Sequence, residues 1–206
     1  MERKVKWLLG GGLAAGFVLA GGLRYLAKER ATPEPPHLTV REEGPFAIRD
    51  YAAIWVAETV AYGDRRDAIR SGFRTLSDYI FGHSHDGDTI DMTVPVIEEA
   101  DGEGRWRIRF VMPDGETPDT LPEPPPGVTL KQLPATRVGV VEFSGRPEEV
   151  NMGEQEARLR RWLHDVDTHD AADKPLYAFY SSPAVPGPMR RNEVWLPIPL
   201  EPPVAT

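Results

Sequence analysis

Hydrophobic and polar residues alternate along most of the chain, and the period changes to a helical one in two places. Residues 37–41 and 46–60 alternate on either side of Glu43-Gly44-Pro45, a pattern typical of two antiparallel strands joined by a turn. Asp64 then precedes a segment whose apolar residues share one helix face: Ile69, Phe73, Leu76 and Ile80. This spacing predicts a helix that starts at Asp64, ends at Gly82 and buries that face.

Two more strands complete the first half of the domain, and the same order of elements then recurs in the second half. The two strands are predicted over residues 89–98 and 106–112, and a proline-rich loop over 113–127 follows them. A second hairpin, helix and strand pair are then predicted over 128–133, 137–143, 154–166, 176–181 and 192–198. The chain therefore reads β-β-α-β-β twice. This order predicts an α+β fold in which duplicated units form a distorted antiparallel β-barrel flanked by two helices.

An uncharged, glycine-rich run precedes this domain and predicts an N-terminal apolar helix. Residues 7–23 contain no charged side chain, follow the basic stretch MERKVK, and are extended in apolar character to residue 26. Two interpretations stay open: a signal-anchor that holds the chain in a membrane through residues 7–26, or a signal peptide cleaved after Val18-Leu19-Ala20. The extension to residue 26 favours the anchor. Either one can carry the domain to the periplasmic or another extracytoplasmic side, although the balanced flanking charges leave the orientation open.

The sequence thus divides into four parts. Residues 1–30 form the signal-anchor or signal peptide, and residues 31–36 form a stiff, proline-rich linker. Residues 37–200 form the folded domain, and residues 201–206 form a tail.

Charge is distributed unevenly between these parts. The net charge of the chain is −8, but residues 1–30 carry +4, which leaves −12 on the remainder. A domain this acidic repels a phosphate backbone, so we expect no nucleic acid partner. The chain has no cysteine, which excludes disulfides, thiol nucleophiles and zinc–thiolate sites.

Three stretches of the domain carry patterns more specific than their periodicity. The first is GFxxLxxYIxG, from Gly72 to Gly82, and the second is IDMTVPV, at residues 90–96. The third is YAFYSSP at residues 177–183 with RRNEVW at residues 190–195. In this order and spacing, the three stretches resemble the SOUL haem-binding protein family.

This resemblance covers residues 37–200 and carries expectations about fold and ligand. It implies a twisted antiparallel β-barrel flanked by two helices, in agreement with the doubled pattern. It also implies reversible binding of haem or another porphyrin through a mostly apolar surface. The family has no shared motif for an iron ligand, so the resemblance transfers no axial ligand to this chain.

A porphyrin has a broad apolar face and two carboxylates, so its site needs an apolar shelf with cations at the rim. The first predicted helix offers both, because three arginines at i, i+4 and i+8 lie beside two of its apolar residues: Arg66, Arg70, Arg74, Ile69 and Phe73. We take Arg70 as the preferred carboxylate partner. The alternative is a stripe that is only solvated. Met92 either packs against a flat ring, acts as a thioether ligand, or belongs to a buried strand.

Two histidines are the candidates for a metal ligand. His83 and His85 stand at i and i+2 in a polar turn after the first helix, where they could chelate a metal. The alternative is that both are solvated loop residues. The axial iron ligand, the physiological ligand and the oligomeric state are left open by the sequence.

One acidic residue of the third motif needs a partner. Glu193 and Arg191 are two residues apart and share a strand face, so an inward Glu193 can pair with Arg191 or with the adjacent Arg190.

The sequence contains no GxSxG, no HExxH and no phosphate-binding glycine loop, and it predicts no enzyme. We expect a tetrapyrrole-binding domain for buffering, transport or sensing. The alternatives are an enzyme that acts on a hydrophobic small molecule with Glu193 as its acid–base group, and a ligand-free scaffold that binds a protein.

Overall fold

A computed structural model describes residues 31–147, 150–168 and 171–199 of the chain. The apolar segment predicted over residues 7–26 and the 201–206 tail lie outside the described residues. Within the described ranges, no helix is long and apolar enough to cross a membrane. One compact unit of the chain begins at Pro33 and contains all the elements below.

The described residues form nine strands and two α-helices. The strands are β1 His37–Glu43, β2 Phe46–Tyr51, β3 Ile54–Tyr62, β4 Val96–Ala100, β5 Arg105–Val111, β6 Thr129–Leu133, β7 Thr136–Phe143, β8 Leu176–Phe179 and β9 Asn192–Ile198. The helices are α1 Arg65–Ile80 and α2 Met152–Asp165, with a short 3-10 turn at Gly187–Met189.

All nine strands belong to one antiparallel sheet, in the order β1-β2-β7-β9-β8-β4-β5-β3-β6. The sheet curls into a half-barrel, which is not a closed barrel because the edge strands β1 and β6 do not pair with each other in the described part of the chain. Helix α1 packs on β3 and β5, and helix α2 packs on β7 and β9. The α+β class is therefore confirmed, and we call the side that carries the helices the helix face and the other side the inner face.

Strand pairing confirms one predicted hairpin and overturns the other. β1 and β2 pair around Gly44, which has a φ of +60°. However, the single run predicted over residues 46–60 is two strands, broken at Ala52-Ala53, and β3 leaves β2 to pair with β5 and β6. The predicted second hairpin is also wrong, because β6 pairs with β3 while β7 pairs with β2 and β9.

The segment predicted as a strand over 89–98 is extended but mostly unpaired. Only Val96–Ala100 joins the sheet, where β4 lies between β5 and β8. The peptide bond between Val94 and Pro95 is cis, and Val94 donates its N–H to Pro33 O at 2.9 Å. Residues 89–95 therefore form a connection that crosses from α1 to the sheet.

Helix α1 begins and ends where the sequence predicts, but its buried face is rotated slightly. The Asp64 side chain accepts the N–H of Asp67 at 3.0 Å, and Gly82 follows the helix with a φ of +71°. The buried positions of α1 are Ala68, Gly72, Leu76, Tyr79 and Ile80. Phe73 is 38% exposed, so the prediction that it belongs to the buried face is corrected. The small residues Ala68 and Gly72 let the helix approach the sheet on one side of the predicted stripe.

Apolar side chains pack in three clusters. One lies under α1 and includes Leu76 and Ile108, and a second lies under α2 and includes Leu159 and Leu163. The third fills the inner face and includes Val56, Ile97, Val140 and Trp195. The helix face is therefore covered by one helix on each side, with β4 and β8 between them.

Candidate functional site

A cation lies on an aromatic shelf at the beginning of α1. The guanidinium carbon of Arg65 is 5.7 Å from the ring centre of Trp106, 5.9 Å from that of Tyr177 and 5.8 Å from that of Phe179. All three rings are partly exposed, and Arg65 keeps 31% of its side-chain surface exposed. We call these four residues the Arg65 shelf.

Strand register explains why these rings share one surface. Across the β4–β5 and β4–β8 pairs, Trp106 is opposite Ala100, Tyr177 is opposite Glu98, and Phe179 is opposite Val96. These three β4 positions are two residues apart, so their side chains point to the same side of the sheet. The shelf therefore lies on the helix face, where β5, β4 and β8 run between the two helices.

The shelf is anchored by a buried ion pair. Arg65 Nη2 donates to Glu98 Oε2 at 2.7 Å, and Glu98 has only 6% of its side chain exposed. Arg65 Nε is buried and has no hydrogen-bond partner among the described residues. Burial raises the pKa of Tyr177, with a further contribution from the carboxylate of Glu156, so the Tyr177 ring stays uncharged at neutral pH. The shelf thus combines flat apolar surface with one fixed positive charge.

The flank of α1 extends the shelf with residues that the sequence predicted. Phe73, two helical turns after Arg65, packs edge-to-face on Phe110 at a ring distance of 5.1 Å, and Ile69 is half-buried beside it. Arg66 is seven residues before Phe73 and faces nearly the same direction, because seven residues make almost two turns. The structure therefore places Ile69, Phe73 and Arg66 on one flank of the helix.

The other two predicted arginines are exposed. Arg70 keeps 63% of its side chain exposed and lies 3.6 Å from Asp67, at a distance that makes a weak ion pair. Arg74 is also exposed, and its position in the helical repeat puts it opposite the buried face. Met92 is 37% exposed and lies in the connection before β4.

The two candidate metal ligands, His83 and His85, do not both offer a free ring nitrogen to a metal ion. His85 Nε2 is 2.8 Å from Tyr79 O, so it carries the proton, and His85 Nδ1 accepts the N–H of Gly87 at 3.1 Å. Both ring nitrogens are thus occupied. His83 is 68% exposed and lies 3.4 Å from Asp78 Oδ1. Among the described residues, no three His, Asp or Glu side chains converge as a metal site.

Glu193 is the most enclosed charge in the described domain, and it lies on the inner face. Its carboxylate has no exposed surface and accepts bonds from two arginines, Arg49 at 3.0 Å and Arg191 at 2.9 Å. Tyr180 Oη donates to it at 2.7 Å and Trp195 Nε1 at 2.6 Å. The predicted Arg191 partner is therefore found, whereas Arg190 instead donates to the carbonyls of Val185 and Pro183.

The electrostatics of this cluster favour an ionised carboxylate at neutral pH. Burial alone raises the pKa of Glu193, but the charges of Arg49 and Arg191 outweigh burial and leave that pKa below its usual value. Burial, and then the nearby Glu193 charge, raises the pKa of Tyr180 well above its ordinary value. A buried carboxylate that already accepts from four side chains has no lone pair for a substrate. The geometry thus gives no support to an acid–base role for Glu193.

Sequence reasoning missed the Arg65 shelf, although it had named residues on the adjoining flank of α1 as candidates. Arg65 directly precedes Arg66, so the basic run Arg65-Arg66 was a usable signal. Nothing local indicated that Trp106 and Phe179, which are 73 positions apart, share a surface. Their proximity follows from β4 pairing with both β5 and β8.

Comparison with known structures gives the fold. The C-terminal domain of EcmrR is similar with a TM-score of 0.54 at 11% identity, over 75% of this chain and 96% of that domain. A hydrolase from Listeria innocua is similar with a TM-score of 0.50 at 15% identity, over 84% of this chain and 96% of that protein. Such low identities show a shared fold and nothing about ligand or activity.

Comparison with known sequences gives the family. No curated protein sequence matches the chain significantly. A family model described as SOUL heme-binding protein matches residues 32–197, most of the chain. This match agrees with the resemblance of the three motifs, two of which supply residues described above, Phe73 and Glu193. The chain belongs to the SOUL haem-binding protein family.

Proposed function

We propose that this protein binds haem or a related tetrapyrrole on the Arg65 shelf and the adjoining flank of α1. The observation that carries the proposal is the guanidinium of Arg65, held within 6 Å of three partly exposed aromatic ring centres. A flat ring can stack on such a surface, and the exposed Arg66 and Arg70 of the adjoining flank can receive carboxylates. Membership of a haem-binding family supports this ligand class.

The residues of the shelf fit the two parts of a tetrapyrrole. Trp106, Tyr177 and Phe179 would contact the ring system, and Phe73 would extend this contact along α1. Arg65 and Phe73 are eight residues apart, or about 12 Å along the helix axis, so the apolar surface is broad. Arg66 and Arg70 would receive the propionates at the solvent rim. Arg74 points away from the sheet and Met92 lies in the connection before β4, so this site does not require either of them. Bound haem would supply an iron centre for redox or gas chemistry.

A pocket elsewhere in the described domain fits this ligand less well. This pocket, of about 270 Å³, lies between residues 33–36 and the segment after β5. It is below the usual volume range of drug-sized ligand pockets, which is about 300–1,000 Å³. Its lining residues include Glu34, Asp114 and Glu116 and no Lys, Arg or His. A ligand with two carboxylates would be repelled there, so the helix face is the better tetrapyrrole site.

We further propose that residues 7–26 anchor the chain in a membrane and that the domain acts on the periplasmic or another extracytoplasmic side. The uncharged run of 17 residues supports an anchor, and the alternative signal peptide would give an exported soluble domain. Buffering, transport and sensing of tetrapyrrole are all compatible with a partly exposed shelf from which the ligand can dissociate.

We also propose that the domain arose from duplicated units. Its strand order supports this, because β7 lies between β2 and β9 in one half, and β3 lies between β6 and β5 in the other. Each half contributes one helix over its own strands. The two halves meet where β8 pairs with β4, next to the Arg65 shelf.

A haemin titration followed by the shift of the Soret absorbance tests the proposed function. Arg70→Glu should weaken haemin binding about tenfold or more, because a lost charge-assisted bond is worth about 1.5–3 kcal/mol and the new carboxylate repels a propionate. Arg161→Glu, at an exposed position of α2, makes the same charge change away from the shelf and should bind like the parent. Equal weakening by both variants would show that only net charge matters and would refute the site.

The same titration shows whether the protein coordinates the iron. We expect binding through the apolar shelf without a protein axial ligand, since both nitrogens of His85 are engaged in bonds within the chain. Single His→Ala variants at His83 and His85 should therefore leave the haemin spectrum unchanged. Loss of a six-coordinate low-spin spectrum in either variant would identify that histidine as the ligand.

A further inference from the structure

The pocket between residues 33–36 and the segment after β5 is separate from the proposed tetrapyrrole site. None of its lining residues belongs to the Arg65 shelf or to the flank of α1. One wall is the segment Pro33–Pro36, which is held to the connection before β4 by the bond from Val94 N–H to Pro33 O at 2.9 Å. The opposite wall is formed by the beginning of β3 and by residues 111–117 after β5.

Apolar side chains make up most of these walls. They include Pro35, Pro36, Ile54, Trp55 and Met112. The two segments of the wall opposite residues 33–36 are joined by a backbone bond, in which Met112 N–H donates to Trp55 O at 2.9 Å. A preformed pocket of this kind binds the apolar part of a ligand without having to be assembled first.

The polar part of the lining carries one sign of charge. Three carboxylates line the pocket, and its sixteen lining residues include no Lys, Arg or His. Glu34 is balanced by Arg191 at 3.2 Å, and Glu116 accepts a bond from Thr120 at 2.6 Å. Asp114 is exposed and has no partner among the described residues. The pocket therefore holds uncompensated negative charge next to apolar and aromatic surface.

We propose that this pocket binds an organic cation with a compact apolar or aromatic group, such as an aryl or alkyl ammonium ion. The apolar walls would take the hydrocarbon part, and Asp114 and Glu116 would attract the charge. The lining also includes Trp55, and tryptophan is the aromatic residue that interacts best with cations. The net charge of −12 on residues 31–206 draws cations toward the domain in general. The volume of about 270 Å³ restricts the ligand to a molecule well below the size of a tetrapyrrole.

A pair of ligands with matched shape tests whether charge is recognised. The affinity of the full chain for benzyltrimethylammonium is measured by calorimetric titration. The affinity for its uncharged isostere, neopentylbenzene, is measured by competition against the cation, and the two affinities are compared. We expect the cation to bind about tenfold or more tightly than the isostere, and its affinity to fall as salt rises, because exposed charges are screened. Equal affinities, or no binding of the cation at millimolar concentration, would refute the proposal.

A variant pair locates the binding. Asp114→Asn with Glu116→Gln removes two negative charges at unchanged shape and should weaken the cation about tenfold, with no change for the isostere. Asp119→Asn, exposed in the same loop but outside the lining, should have no effect. If the double variant binds the cation like the parent, the pocket is not the site. Haemin binding should be the same in all these variants, so a failed haemin titration would refute the tetrapyrrole proposal and not this one.

Discussion

A single carboxylate on the inner face accepts hydrogen bonds from four side chains, two on strands and two just outside them. Glu193 of β9 is bound by Arg49 of β2, by Trp195 of its own strand, by Arg191 just before it and by Tyr180 just after β8. The Arg191 guanidinium also stacks on the Tyr180 ring at 3.8 Å. Burying a carboxylate is costly unless its charge and lone pairs are all matched, and here they are.

We predict that Glu193→Gln destabilises the domain by about 3 kcal/mol or more, because removing one partner of a buried ion pair leaves the other charge unmatched. The measurement is the free energy of unfolding from denaturant titration at pH 7. Glu103→Gln removes a carboxylate from an exposed turn and should change that free energy by less than about 0.5 kcal/mol.

The pH dependence of this difference identifies its cause. The pKa of Glu193 is lower in the folded state than in the unfolded one, so its contribution is fully present above the unfolded pKa of about 4.3 and is lost as pH falls through the folded pKa. The gap between parent and Glu193→Gln should therefore shrink below about pH 4. A gap of constant size down to pH 3 would mean that packing, and not charge, makes the difference.

One of the two arginine partners in this cluster was predictable from the sequence. Arg191 is two residues from Glu193, and the period of a strand places both on one face. Arg49 is 144 residues away and reaches Glu193 only because β2 and β9 both pair with β7. Local periodicity contains no information about which strands become neighbours, so this partner had no signal in the sequence.

At the scale of elements, glycine sets the distance between helix and sheet. A Cβ atom added at Gly72 of α1 would lie 2.6 Å from Cδ1 of Ile108 on β5. In the other half the relation is reversed, and a Cβ added at Gly139 of β7 would lie 2.7 Å from Cδ1 of Leu163 on α2. Each helix thus packs closely on its strands through one residue without a side chain.

We predict that Gly72→Ala destabilises the domain by about 1 kcal/mol, although alanine favours a helix by a similar amount, because overpacking costs about 1–3 kcal/mol. Shortening the neighbour should relieve this cost. In a double-mutant cycle with Ile108→Val, unfolding free energies should show a favourable coupling of at least about 0.5 kcal/mol. Gly153→Ala is the control. Gly153 is exposed in the first turn of α2, and an added Cβ would lie 3.5 Å from Asn151 Oδ1, so this substitution should stabilise the domain. Additive effects of the two substitutions would contradict the close approach.

Helices were easier to predict than sheet topology for a physical reason. The beginning and end of α1 depend on Asp64 and Gly82, which act within one turn of the chain. The break between β2 and β3 falls at Ala52-Ala53, where no glycine or proline marks a turn, so the alternation reads as one continuous strand. β3 pairs with β5 and β6 instead of with β2, and β7 pairs with β2 and β9 instead of with β6. These pairings depend on long-range packing and not on the local sequence.

On the scale of the whole molecule, the two proposed sites are distinguished by charge. The Arg65 shelf and its flank carry cations on the helix face, whereas the pocket beside residues 33–36 is lined by carboxylates. A domain that is acidic overall can attract a dicarboxylate only where arginines are concentrated, and it can attract cations more generally. The family pattern indicated the ligand class, but the separation of the two surfaces depends on the fold.

The remaining prediction concerns how the whole chain is held in the cell. Deleting residues 1–30 should move the protein from the membrane fraction to the soluble fraction, because the long uncharged run of the chain is removed with them. Leu13→Arg in the full chain is the sharper variant, since an arginine at the centre of a spanning segment costs about 2.5–3.5 kcal/mol of insertion free energy and leaves the domain unchanged. Ala31→Arg makes the same charge change outside the run and should stay in the membrane fraction.

Mass spectrometry of the native protein separates anchor from signal peptide, because cleavage after Ala20 would give a mature chain that starts at Gly21. Membrane association that persists in both the deletion and Leu13→Arg would contradict the anchor and would mean that the domain itself binds the membrane.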